Sequence, residues 1–371
     1  MDFDFSDDQE QLRDAVRKWV DKGYDFERRR AAVAAGGFDR AAYGELAELG
    51  LTALYVSDEH GGMGMGPTEA MVVMEELGRG IVLEPLTQTL ITSATLQTHA
   101  PAPLQAAWLP RMAAGEAIVV LAHQERAARY QLNRCAAVAT ESGGNWTVSG
   151  TKSVVAVGDQ ADAFVVPATA NGQIALFLVE RSASGVRTQG YVTQDGSRAA
   201  EVQLDKAAAQ LITLNGLSAL EEAVDIGIAC TCAEAVGVMD KTLAITVEYM
   251  NTRKQFGVPI ASFQALRHRV ADMKMQLELG RSMSYYATLK LHAPAEERRR
   301  AMARAKYQLG TSMRYIGQQA VQLHGGIAVT DEYIVSHYFK KLTQLDMTFG
   351  DTLHQLGEVS ARMQETAGVF A

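Results

Sequence analysis

Apolar residues recur three and four positions apart over the first third of the chain. Leu12, Val16 and Val20 share one helical face, and Met71, Met74 and Leu77 share another. This spacing predicts helices from Asp7 to about Glu116. From about Ala117 to Thr213 the texture changes to short β-branched or alternating runs separated by Gly, Asn and Asp: Ala117 to Leu121, Trp146 to Val148, Ser153 to Val157, Ala163 to Val166 and Ile174 to Val179. From Leu217 the helical period returns and runs to about Ala367, interrupted at Gly257 to Pro259, His292 to Pro294 and Gly325-Gly326. The chain reads as an α+β protein: an N-terminal all-α domain over 1–116, a central β domain over 117–216 and a C-terminal helical bundle over 217–371.

The length of 371 residues agrees, being too great for one ordinary core. Forty-three acidic against thirty-five basic side chains leave a net charge of -8 and no basic block, so no nucleic-acid partner is expected. Cys135, Cys230 and Cys232 form no CxxC pair, which points to reduced, buried thiols; nothing has the spacing of a metal site. The acidic opening Met-Asp-Phe-Asp-Phe-Ser-Asp-Asp is the reverse of a targeting segment, and no uncharged apolar run reaches the ~18 residues that span a bilayer. A cytoplasmic protein without a membrane span is the expectation. His60-Gly61-Gly62-Met63-Gly64-Met65-Gly66 does not fit G-x-G-x-x-G and reads as a tight loop, while Arg298 to Ala305 reads as a solvated helix face.

The most informative stretch is Arg253-Lys254-Gln255-Phe256-Gly257-Val258-Pro259-Ile260, followed by Phe263-Gln264, His268, Ala271, Asp272 and Met273. Upstream, about Leu220 to Met250 is helical; downstream, Phe263, Leu266, Val270, Met273 and Leu277 mark one buried helix face. Gly257 and Pro259 stop the first helix, and Ser262 is placed to cap the second. A helix N-terminus offers free N–H groups to a diphosphate, and Arg253 adds a fork of donors that never loses its charge. The plainer alternative is a solvated Arg-Lys beside an ordinary turn.

That stretch resembles the flavin-binding segment of the acyl-CoA dehydrogenase family. The likeness continues along the chain: Glu48-Leu49-Gly50-Leu51, Glu59 to Gly64 and Glu75-Glu76-Leu77-Gly78-Arg79 resemble its N-terminal helical domain, Trp146 to Lys152 its central sheet domain, and Gln322-Leu323-His324-Gly325-Gly326 its C-terminal domain. Glu125 with Arg129-Tyr130, Gly158 to Asp162, and the run His324 to Asp351 are most similar to bacterial small subunits, that of pimeloyl-CoA dehydrogenase among them. The resemblance implies the family fold, with a central β-barrel or sandwich and a C-terminal four-helix bundle. It also implies FAD as cofactor, held by Arg253, Gln255, Phe256 and Gln264 of one chain and by Gln322, Gly325 and Gly326 of a neighbour. Ala328 stands where the family has a third glycine and His337 where it has a basic residue.

Dehydrogenating a thioester between its α and β carbons needs a base for the α-proton and an acceptor for hydride, which no side chain supplies. The family's common base is Glu in Tyr-Glu-Gly-Thr, but the corresponding stretch here is Phe349-Gly350-Asp351-Thr352. Asp351 is therefore the first candidate base, with helix capping as its plainer role. Asp225, near the position some relatives use on the preceding helix, is the second, with a helix N-terminal acid as the alternative. The family's Thr-Glu-Pro-Gly segment is replaced by His123 to Tyr130, and its Trp-Ile-Thr strand by Val154-Val155-Ala156; Arg126 and Arg129 could meet an acidic group on substrate or partner. The resemblance thus implies an acyl-CoA dehydrogenase that passes electrons to an electron-transfer flavoprotein. The chain is expected to pair with a large subunit, and alone to form a homodimer or tetramer. Two alternatives stand: a non-catalytic partner subunit, and a flavin oxidase or monooxygenase on the same fold.

Overall fold

The computed structural model describes residues 5–363. The first four residues of the acidic opening and the stretch 364–367 of the expected last helix lie outside them. Six helices come first: α1 (Asp7–Gly23), α2 (Phe26–Ala34), α3 (Arg40–Glu48), α4 (Pro67–Arg79), α5 (Leu86–His99) and α6 (Ala102–Ala113). α1 starts on a reciprocal cap in which Ser6 Oγ accepts from Gln9 N–H and Gln9 Oε1 accepts from Ser6 N–H. Between α3 and α4 the glycine-rich stretch is a loop, as its spacing implied, with Gly61 and Gly64 at φ 77° and 58°.

Seven strands follow: β1 (Val119–Leu121), β2 (Val138–Ser142), β3 (Asn145–Ala156), β4 (Ala163–Ala170), β5 (Gln173–Glu180), β6 (Val186–Val192) and β7 (Arg198–Thr213). β4 pairs with both β2 and β5, so β4, β2, β3, β7 and β5 close into a ring; β1 lies parallel to β4, and β6 extends from β7. Closure removes the edges of those five strands and leaves β1 and β6 each paired on one side only. Ile118, Val120, Val148, Phe164, Val166 and Phe177 are fully buried at its core.

The remainder is α7 (Gly216–Thr252), a short hairpin of β8 (Lys254–Gln255) and β9 (Val258–Pro259), then α8 (Gln264–Lys290), α9 (Ala295–His324), α10 (Ile334–Met347) and α11 (Thr352–Ala361). By contacts the chain divides into two compact units that regroup these elements. One gathers 28–66 and 83–227, which adds most of α2, with α3, α5 and α6, to the β domain. The other gathers the described parts of 1–27, 67–82 and 228–371, so α1 and α4 pack with the C-terminal helices.

In this second unit α4 and α7 approach backbone to backbone. A Cβ on Gly78 would press on the Glu234 carbonyl, and one on Gly237 on that of Glu75, so both positions need glycine. Charges buried nearby are paired: Glu76 with Arg17 at 2.6 Å and Arg79 at 3.1 Å, Lys341 with Glu234 at 2.6 Å, and Arg281 with Glu75. Cys230 and Cys232 are buried free thiols, pushed up to about 12 by burial, whereas Cys135 is only partly buried. Among the described residues no helix is long and apolar enough to cross a membrane, and no cluster of metal-ligating side chains occurs.

Candidate functional site

The stretch expected to be a helix stop is a hairpin. Lys254 pairs with Pro259 and Gln255 with Val258, leaving Phe256 and Gly257 as a two-residue connection at φ 54° and 80°. Positive φ at both central positions is the geometry whose twist matches a tight hairpin, and a phenylalanine in it is strained. Phe256 is 92% exposed and meets Phe263 edge-on at 6.1 Å. Arg253, Gln255 and Gln264 are exposed as well. Ser262 does not cap α8: its hydroxyl donates to the Pro259 carbonyl at 2.7 Å, and Phe263 stands at the N-cap without a side-chain bond. The expected buried face of α8 holds at Met273 and Leu277 but not at Phe263, which the hairpin keeps at the surface.

Gln322, Gly325 and Gly326 end α9. Gly325 adopts φ 68°, ψ -145°, a conformation open essentially to glycine, and a Cβ on either glycine would meet nothing within 4 Å. His324 beside them is buried. Its Nδ1 donates to the Ala320 carbonyl at 2.8 Å, and its Nε2 has no hydrogen-bond partner among the described residues. Burial holds its pKa below the usual imidazole range, which keeps Nε2 an acceptor at neutral pH. Tyr249 stacks on the ring at 4.4 Å and donates to the His324 carbonyl at 3.2 Å. Because Tyr249 lies one helical turn before Arg253, the hairpin and the diglycine turn lie toward the same end of α7 in the second unit.

The α10–α11 turn carries the aspartate expected as a base. Phe349 and Gly350 are left-handed at φ 56° and 108°, and Asp351 is the N-cap of α11, its Oδ1 accepting the His354 N–H at 2.8 Å. The capping role is therefore realised, which leaves that carboxylate already committed to the helix end. Below the turn Lys306, fully buried, donates to the carbonyls of Leu345 (2.8 Å), Asp346 (2.8 Å) and Gly350 (3.2 Å). Burial pushes its ammonium down to about 8 against the pull of Cys232, Asp346 and Asp351. Sequence reading missed Lys306, although its place one turn from the buried Met302, on the apolar face of α9, was a signal. Asp225, the second candidate, is fully buried and lies nine residues past the start of α7, so the account of it as a helix N-terminal acid does not hold.

In the β domain the segment that replaces the family's loop is pinned from below. Glu125 accepts from Lys152 Nζ at 2.6 Å and from the backbone N–H groups of Ala136 (2.6 Å) and Ala137 (3.1 Å); Lys152 is fully buried. Although burial opposes it, this set of donors holds the Glu125 carboxyl below its usual range. Val154 sits at φ 53° where the β3–β7 register shifts, 47% exposed. Arg126 faces Glu201 at 3.6 Å, and Arg129 lies 5.3 Å over the Tyr130 ring.

His123 supplies a pH test of this segment. Burial, helped by the charge of Lys152, pushes its imidazole down to about 4, whereas an unfolded histidine titrates near 6.5. Its contribution to stability is thus present above pH 6.5 and lost as pH falls toward 4. His123→Gln should flatten the acid limb in that window by on the order of 1–3 kcal/mol, read from urea midpoints at pH 7, 5.5 and 4.5. An unchanged slope would assign the acid sensitivity to other groups.

The profile described as acyl-CoA dehydrogenase, N-terminal domain, matches residues 6–116, and that described as acyl-CoA dehydrogenase, C-terminal domain, matches residues 215–364. The acyl-CoA dehydrogenase IpdE2 of Mycobacterium tuberculosis is 30% identical over 342 residues, 90% of this chain and 91% of the relative. Among solved structures, a Tcur3481-Tcur3483 steroid ACAD variant aligns with a TM-score of 0.90 and 27% identity over 97% of this chain and 99% of that one. The ChsE4-ChsE5 complex from Mycobacterium tuberculosis aligns with a TM-score of 0.90 and 25% identity over 99% of this chain and all of the other. Two matching profiles that together span more than half of the chain, one over its N-terminal and one over its C-terminal helices, and a relative 30% identical over 90% of it place it in the acyl-CoA dehydrogenase family.

Proposed function

We propose that this chain is a subunit of an FAD-dependent acyl-CoA dehydrogenase that works with a second, larger subunit and passes electrons to an electron-transfer flavoprotein. One observation carries the reading. Arg253, Gln255, Phe256, Gln264, Gln322, Gly325 and Gly326 are all exposed in the single chain, so a cofactor seated on them needs cover from elsewhere.

The residues fit the ADP end of FAD. A fixed cation at Arg253, open diglycine backbone at Gly325-Gly326 and the unanswered acceptor His324 Nε2 together suit a diphosphate and a hydrogen-bond donor. When bound, the flavin would accept the hydride that no side chain can take. Two chains would share the seat, with the hairpin of one facing the diglycine turn of the other. The Tcur3481-Tcur3483 and ChsE4-ChsE5 structures, each named for two components, favour an assembly of unlike subunits. A second reading, a non-catalytic partner subunit, is favoured by the capping role of Asp351.

The test is co-expression with a larger acyl-CoA dehydrogenase subunit, followed by sizing, flavin content and anaerobic bleaching by acyl-CoA. The expected result is a mixed oligomer that gains both flavin and turnover. Full flavin occupancy and turnover in the isolated chain, with no gain from the partner, would rule the assembly out.

A further inference from the structure

The loop that joins β1 to β2 borders a cleft of about 260 Å³ in the β domain. Arg129, Gln131 and Arg134 line it together with the apolar Leu132, Pro167 and Leu220, and no acidic side chain lines it. In a chain of net charge -8, two guanidiniums around one opening with no facing carboxylate make a local positive field. Arg126, three residues earlier, is turned instead to Glu201 at 3.6 Å. The carboxylate of Glu125 on the same loop is already answered by Lys152 at 2.6 Å and by two backbone N–H groups. The Arg134 guanidinium has neither an ion pair nor a side-chain hydrogen bond among the described residues.

The wall of the cleft is set in advance. Arg129, left-handed at φ 50°, donates its N–H to the Glu125 carbonyl at 3.0 Å, Gln131 its N–H to that of Ala128 at 3.0 Å, and Arg134 its N–H to that of Gln131 at 3.2 Å. Cys135, which also lines the cleft, is tied to the strand opposite: its Sγ lies 3.3 Å from the Pro167 carbonyl oxygen, and Thr169 Oγ1 donates to the Cys135 carbonyl at 3.1 Å. A backbone ordered before a ligand arrives loses little freedom on binding it.

We infer that this cleft binds the oxyanion end, carboxylate or phosphate, of a small molecule whose adjoining part is apolar. The planar forks of Arg129 and Arg134 match either oxyanion, the Gln131 amide adds a donor, and Leu132, Pro167 and Leu220 cover the apolar part. The inference stands apart from the flavin reading: these residues all belong to the unit that gathers 28–66 and 83–227, and Arg253 belongs to the other. The two are therefore tested separately.

Cys135 reports occupancy, because it lines the cleft whereas Cys230 and Cys232 are buried. The full chain is alkylated with iodoacetamide in the presence of hexanoate, inorganic phosphate or coenzyme A, and each cysteine is followed by peptide mass spectrometry. Hexanoate or coenzyme A should slow labelling of Cys135 severalfold, and hexanamide, the same chain without the charge, should not. Arg134→Gln should raise the probe concentration needed for protection by about tenfold or more, and Arg129→Gln likewise, with Cys230 and Cys232 still unlabelled as the sign of an intact fold. Calorimetric titration with the same probes reads the affinity without the label. Protection by coenzyme A that 3′-dephospho-coenzyme A lacks assigns the anion as phosphate, and protection by hexanoate assigns it as carboxylate; either upholds the site. No binding of any probe, equal protection by hexanamide, or undiminished protection in both arginine variants would overturn it.

Discussion

Arg253→Glu should yield a folded, colourless protein. The guanidinium lies at the end of α7 and is exposed, so its replacement leaves the core untouched and melting should stay within a degree or two of wild type. The reversed charge would stand beside the proposed diphosphate, replacing charge-assisted bonds worth roughly 1.5–3 kcal/mol each with repulsion. A loss of at least ~3 kcal/mol corresponds to more than a hundredfold in affinity. Arg253→Lys, which keeps the charge but loses the planar fork, should fall between the two. Flavin content after gel filtration and FAD titration by fluorescence are the measurements. A variant as yellow as the wild type would remove Arg253 from the cofactor seat.

Lys152→Met should be the most destabilising single change in the β domain. It deletes an ammonium that is fully buried 2.6 Å from Glu125 and leaves that carboxyl without a counter-charge. Breaking one side of a buried pair costs about 3–5 kcal/mol, because the surviving charge is desolvated and unanswered. The double variant Lys152→Met with Glu125→Gln should lose less than the sum of the two singles, a coupling of more than ~1 kcal/mol in urea denaturation. Strict additivity would mean that the two side chains do not stabilise one another. The segment 123–135 should loosen first, since Glu125 ties its two ends together through Ala136 N–H and Lys152.

Amide exchange can locate that loosening. In Lys152→Met, protection should fall at Ala136 and Ala137, whose N–H groups bond Glu125, before it falls at Val166 or Phe177 in the barrel core.

The sequence alone determined the order of helix, sheet and helix. Period 3.6 in Leu12, Val16 and Val20 and the short apolar runs of the middle third are local properties, read between residues a few positions apart. It also determined that no glutamate stands at Gly350 and that Arg253 carries a permanent charge at a helix end. Tertiary structure decided which of the candidate side chains are already engaged. Asp351 is taken by the N–H of His354, Ser262 by the Pro259 carbonyl, and the pair Glu125 with Lys152 joins residues 27 positions apart. The approach of His354 to the side-chain space of Gly350 depends on two consecutive left-handed residues, a conformation that Phe349 does not announce. Periodicity survives in the chain because it repeats; a single long-range bond or an unusual φ occurs once, and only packing around it makes it stable.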